Sequence, residues 1–188
     1  MHAEAGLPAT VRRIWVIGPS GAGKSTLARQ LADVLGLPHH ELDAMFWGPG
    51  WQRRPEEEFR AAVAGLDSHP GWVVDGQYHL AHPVLEALAD AVVWVDPARG
   101  TTMVRLIRRT VYRLVSRAEL WNGNRERPGS ALQLLGWAHR EFPRVRRTNE
   151  ALAGRLARRS VPCVRVRTTS DIRALLAAAE RGRDWRVH

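Results

Sequence analysis

A doubly wound, three-layer parallel α/β sheet is the fold that this sequence predicts. Two observations carry that expectation. Arg13 to Ile17, Trp72 to Val74 and Ala91 to Val95 are short continuous apolar runs, which is how strands read when helices cover both faces of a parallel sheet. Between them lie longer segments whose apolar residues recur at helical spacing, and strands alternating with helices make βαβ units. In such sheets ligands sit beyond the carboxyl ends of the strands. Gly18, Asp43, Asp75 and Asp96 each follow an expected strand at that end.

In order along the chain, the first strand runs into glycines, and Leu27, Leu31, Val34 and Leu35 then mark a helix that Gly36 can cap. A second strand is expected over 38–42, ending at Asp43. The aromatic, glycine-rich loop "DAMFWGPGWQRRP" follows. Pro55 suits a first helical turn, Glu56, Glu57 and Glu58 complement its positive end, and Phe59, Val63 and Leu66 form an apolar stripe. After the strands that end at Asp75 and Asp96, Thr101 is expected to cap a helix over 102–118. Its inward residues are Met103, Leu106, Ile107, Thr110, Val111 and Leu114, and Arg105, Arg109, Arg113 and Arg117 lie on another face. "LWNGNRERPGS" breaks regular structure; helix resumes near Ala131, is expected to be interrupted at Pro143, and continues to about Arg158. A last strand over 161–167 and a last helix over 171–179 complete the pattern.

The 188 residues fit one domain, and 45% hydrophobic content supports a single core. Residues 1–11 read as a flexible end. The 28 Lys plus Arg outweigh 19 Asp plus Glu by nine, and arginine supplies nearly all of the excess. Arginine pairs bidentately with phosphate, so anionic ligands are implied, and nucleic acid is a rival partner. Cys163 is the only cysteine, which excludes an internal disulfide and a cysteine-based zinc cluster. With no long apolar run and no signal-like layout at the start, a soluble cytoplasmic protein without a membrane partner is expected. His39 and His40 lack a third ligand at metal spacing and read as strand or surface residues.

The strongest motif is Gly18-Pro-Ser20-Gly21-Ala22-Gly23-Lys24-Ser25, which fits G-x-x-x-x-G-K-[ST] between a strand and a helix. Its glycines turn backbone N–H groups toward the α and β phosphates of ATP, and the helix directs its positive end at them. Lys24 reaches the β and γ phosphates, the Ser25 hydroxyl ligates Mg²⁺, and Thr26 meets an outer phosphate oxygen. Asp75 and Asp96 compete for the acidic partner of the metal; Asp75 is favoured because Gly76 lets a ligand approach the backbone. Asp43, beside Phe46 and Trp47, suits orienting a hydroxyl-bearing acceptor. Arg105, Arg109 and Arg125 suit stabilising a phosphoryl group in flight.

With "LDAMFW", "WVVDGQY", "VVWVDPAR" and "RLIRR...ELWNGNRE" following the phosphate loop in order, the chain resembles the adenylate kinase-like P-loop kinases. Closest is the branch labelled topology modulation proteins. The resemblance implies a nucleoside monophosphate kinase-type core with a small lid, here over 113–130, and an acceptor-binding segment over 43–66. It implies that Arg105 and Arg109 lie along the nucleotide and that Asp75, Gly76 and Gln77 help bind the acceptor. The block reads Asp-Gly-Gln-Tyr-His, with no arginine for an acceptor phosphate. That leaves room for an unphosphorylated acceptor such as a nucleoside, sugar or other small alcohol. The function expected is a Mg-ATP-dependent phosphotransferase with a small-molecule acceptor; the alternative is a nucleotide-dependent regulatory or nucleic-acid-binding protein.

Overall fold

The computed structural model describes residues 7, 8 and 10–184. Of the expected flexible end, residues 1–6 and 9 lie outside the described residues. Five parallel strands, β1 (Arg13–Ile17), β2 (His39–Glu41), β3 (Trp72–Asp75), β4 (Ala91–Val95) and β5 (Cys163–Val166), form one sheet in the order β2-β3-β1-β4-β5. The helices are α1 (Lys24–Leu35), α2 (Leu42–Phe46), α3 (Glu56–Ala64), α4 (His82–Leu88), α5 (Arg99–Ser116), α6 (Pro128–Arg158) and α7 (Thr169–Asp184). Side chains of a strand alternate between its faces, so both faces must be apolar when both are covered. Trp15 and Ile17 enter one core with Phe59, Leu85 and Leu152; Ile14 and Val16 enter the other with Leu27, Leu31 and Leu175. Among the described residues no helix is long and apolar enough to cross a membrane.

Several elements differ from the sequence expectation for identifiable reasons. The second strand is three residues long, and Asp43 stands in α2 rather than at a strand end. Leu42, fully buried, starts that helix and packs against Gly76. A Cβ at Gly76, whose φ is +127°, would stand 2.7 Å from the Leu42 Cβ. The glycine therefore serves this packing.

Helix α5 starts three residues early, with no side-chain cap; the Thr102 hydroxyl donates back to the Ala98 carbonyl instead. Of the residues expected inward, Leu106 and Thr110 are buried, whereas Ile107 and Val111 are exposed at 44% and 53%. The rotation arises because the face bearing Thr102 and Leu106 packs on the phosphate loop, where Gly21 leaves no room for a Cβ.

Helix α6 does not break at Pro143. A proline there leaves the carbonyl of residue 139 without its intrahelical donor. Arg99 Nη2 donates to that His139 carbonyl at 2.8 Å, so the lost bond is replaced from α5. The helix also begins at Pro128, so the segment between α5 and α6 is only 117–127. Helix α4, for which the sequence reading assigned no element, begins one residue before Pro83.

Candidate active site

The phosphate loop leaves β1 at Gly18, whose φ of +147° and closeness to the Val95 carbonyl exclude any side chain. Gly23 caps α1 in the left-handed region with no side-chain hydrogen bond to the first turn. The first N–H groups of α1 are thus open to an anion. Ser20 is half-buried, and the Ala22 carbonyl accepts from Arg105 Nη1 at 3.2 Å, which ties α5 to the loop. Lys24 Nζ donates to the Pro19 carbonyl at 3.0 Å. Burial lowers the Lys24 pKa, Asp43 and Asp75 raise it, and Arg109 lowers it; the four side chains share one electrostatic neighbourhood.

Above the loop is a cavity of about 710 Å³. Lys24, Ser25 and Thr26 line one wall, and Arg105, Arg109 and Arg113 of α5 line another. Glu41, Glu119 and Trp121 close the remaining side. Arg113 lies 5.7 Å over the Trp121 ring. The charge favours a polyphosphate, because four guanidinium groups, Arg29 among them, and an open helix N-terminus face the same volume. Arg125 stands elsewhere: it is exposed and does not line the cavity, and its carbonyl accepts from Trp51 Nε1.

Ser25 Oγ donates to Asp75 Oδ2 at 2.6 Å, and His39 Nε2 lies 2.8 Å from Asp75 Oδ1. Both carboxylate oxygens of Asp75 are thereby oriented. Mg²⁺ takes hard oxygen ligands and keeps several waters, so one hydroxyl with a carboxylate behind it fits that ion. Asp96 is in a different setting. Its side chain is 1% exposed and is held by Arg165 at 2.5 Å, Arg146 at 3.3 Å and Arg167 at 3.8 Å. Of the two competing aspartates, Asp75 is the one that meets Ser25.

Asp43 accepts a 2.5 Å hydrogen bond from the Tyr78 hydroxyl. Burial and the adjacent Asp43 carboxylate push the Tyr78 pKa up, so the phenol remains a donor. Phe46 lies 4.3 Å from the Tyr78 ring and also packs on Phe59, with Trp47 edge-on to it. Gln77 accepts from the Gly18 N–H at 3.3 Å and donates to Asn149. It thus bridges the phosphate loop to α6.

Sequence reasoning missed three groups. His39 reads locally as a strand residue, and its partner is 36 positions away. Glu41 follows it by two and accepts from Trp121 Nε1 at 2.8 Å. Tyr78 lies inside the quoted "DGQY" block, but nothing local pairs it with Asp43.

No family model matches the chain. A cytidylate kinase from Nitratidesulfovibrio vulgaris (strain DP4) is 43% identical over 51 residues, 27% of this chain and 22% of that protein. A shikimate kinase from Histophilus somni (strain 2336) is 54% identical over 33 residues, 18% of this chain and 19% of its own. Each match spans about a fifth of the relative's length. Among solved structures, a shikimate kinase from Acinetobacter baumannii in complex with shikimate covers 95% of this chain and 92% of its own, with TM-score 0.50 and 18% identity. A gluconokinase from Sinorhizobium meliloti 1021 covers 94% and 93%, with TM-score 0.52 and 20% identity. With the five-stranded parallel sheet, these likenesses show that the chain has the P-loop, nucleoside monophosphate kinase-like α/β fold.

Proposed function

We propose that the protein is a Mg-ATP-dependent phosphotransferase whose acceptor is a small hydroxyl compound. The observation that carries this reading is the arrangement around Lys24: Ser25 in the phosphate loop donates to Asp75, and a second carboxylate, Asp43, held by Tyr78, acts with Asp75 on the Lys24 charge. A protein that only bound nucleotide would need no second carboxylate there. The local matches to a cytidylate kinase and to shikimate kinases support phosphoryl transfer to a small molecule.

In this reading the loop N–H groups and Lys24 hold the phosphates of ATP, and Arg105 and Arg109 flank them from α5. Ser25, with Asp75 behind it, would hold Mg²⁺, which when bound neutralises charge on the phosphates. Asp43 takes the proton of the acceptor hydroxyl. The acceptor oxygen then forms its bond to the γ phosphorus as the bond to the ADP oxygen breaks, and Lys24 and the arginines offset the charge on the transferred group. Tyr78 fixes the Asp43 carboxylate for that role. Phe46 and Trp47 offer flat apolar surface beside Asp43 for the body of the acceptor.

An unphosphorylated acceptor is favoured over a nucleoside monophosphate. Gln77 stands where an acceptor phosphate would call for an arginine, and its amide is engaged by Gly18 and Asn149. A phosphate placed against Asp43 would meet a like charge. The "LDAMFW", "WVVDGQY" and "LWNGNRE" blocks support membership of the branch labelled topology modulation proteins, and the lone cysteine supports a cytoplasmic setting.

The test is ATP consumption over a panel of nucleosides, sugars, other small alcohols and nucleoside monophosphates, with Lys24→Ala as the blank. The reading expects turnover raised by at least one hydroxyl compound and abolished in the variant. Turnover unchanged across the panel, with Lys24→Ala as active as the parent protein, contradicts it.

A further inference from the structure

The segment 117–127, which carries Glu119 and Trp121 into the phosphate cavity, is tied to the loop that follows Asp43 rather than standing apart from it. Each is a small hairpin. The acceptor-side loop closes through the Trp47–Arg53 bridge and a 2.8 Å bond from the Gly48 N–H to the Gln52 carbonyl. The lid closes through the Glu119–Arg125 bridge and a 2.7 Å bond from the Leu120 N–H to the Asn124 carbonyl. Each tip holds a non-glycine residue in the left-handed region, Trp51 at φ 60° and Asn122 at φ 56°. Such residues persist where the surroundings over-determine them.

Here each tip is held by the other hairpin. Asn124, 4% exposed, accepts from the Trp51 N–H at 2.8 Å and donates to the Gly48 carbonyl at 2.9 Å. Asn122 donates to the Ala44 and Trp47 carbonyls, and Trp51 Nε1 donates to the Arg125 carbonyl at 3.0 Å. The Asn-Gly-Asn stretch thus has its partners about 75 residues earlier in the chain.

Resting on the phosphotransferase reading, we propose that Asn124 is the positioning residue that locks the acceptor loop to the nucleotide lid, so that the two open and close as one body. Phosphates that draw Arg113 and Trp121 inward then also order Phe46 and Trp47 beside Asp43. By linkage, acceptor and ATP strengthen one another's binding. On this coupling a hydroxyl acceptor has to enter before the lid shuts.

Hydrogen exchange of the full chain, with and without Mg²⁺ and β,γ-imido-ATP, tests this. In the parent protein the analogue is expected to slow amides of both 117–127 and 47–54 by at least about fivefold, the factor that one net hydrogen bond is worth. In Asn124→Ala the lid should still slow, while 47–54 changes less than about twofold. Asn124→Asp, which keeps the acceptor for the Trp51 N–H, should restore part of the coupling, a result that a merely structural defect does not give. If Asn124→Ala fails to fold, Asn122→Ala, whose side chain is exposed, should lower the response of 47–54 by at least half. A parent protein whose lid slows while 47–54 does not overturns the inference and leaves the phosphotransferase reading standing, as does Asn124→Ala responding like the parent. If the analogue slows the phosphate loop 18–26 but neither hairpin, the inference falls and the phosphotransferase reading stands; if it slows none of the three, both fall.

Discussion

Asp75 receives the Ser25 hydroxyl on one carboxylate oxygen and the His39 imidazole on the other, at 2.6 and 2.8 Å. Three elements, α1, β2 and β3, thereby meet on one side chain. Asp75→Asn should keep the fold and lower Mg-ATP turnover about 10- to 100-fold, the usual effect of removing a group that orients a metal ligand. His39→Ala leaves Asp75 Oδ1 unheld and should lower turnover about tenfold, with a weaker apparent affinity for Mn²⁺ in the presence of the ATP analogue. Steady-state kinetics and titration calorimetry measure both. Full activity in Asp75→Asn would remove Asp75 from the metal site.

Asp96 predicts the opposite pattern. It is a buried charge held by Arg146, Arg165 and Arg167, and Arg165 also lies 3.9 Å over the Trp94 ring. The arginines that remain reach solvent, and Glu150 still faces Arg146 and Arg165. Asp96→Asn should therefore cost about 1–2 kcal/mol of stability in urea unfolding, the loss of charge-assisted hydrogen bonds. Its turnover below the unfolding midpoint should stay within about twofold of the parent. A stable but inactive Asp96→Asn would exchange the roles of the two aspartates.

Burial pushes the Cys163 thiol up from 9.0 to about 11, with Arg165 pulling it partly back. The folded thiol holds its proton where the unfolded one loses it. Stability from this group is therefore full below about pH 9 and is lost as pH rises toward about 11. Cys163→Ala should flatten the alkaline arm of a melting-temperature profile in that window. An unchanged profile would contradict the buried setting of the thiol.

Much of the fold was legible because its signals are local. Apolar runs mark the strands on either side of the phosphate loop, and the Gly-x-x-x-x-Gly-Lys-Ser spacing needs only a strand before it and a helix after it. What escaped depends on distant partners. Pro143 reads as a break until Arg99 is seen to take the carbonyl it frees. Ile107 and Val111 fit an inward stripe until the phosphate loop fixes which face of α5 packs. His39 has no meaning without Asp75, nor Asn124 without Trp51. Arg125 fits the charge pattern of a lid, but the backbone bond from Trp51 is the contact its residue makes with the acceptor loop, and its side chain lies outside the cavity lining.

In the proposed reaction the γ phosphoryl group of ATP leaves this cavity on another molecule. Incubating the protein with Mg²⁺, γ-³²P-labelled ATP and a mixture of small hydroxyl compounds, then separating the products, tests it directly. Phosphoryl transfer predicts a labelled phosphate ester that forms with the parent protein and not with Lys24→Ala or Asp43→Asn. Label found only in ATP and inorganic phosphate, or an ester formed equally by Lys24→Ala, would contradict it.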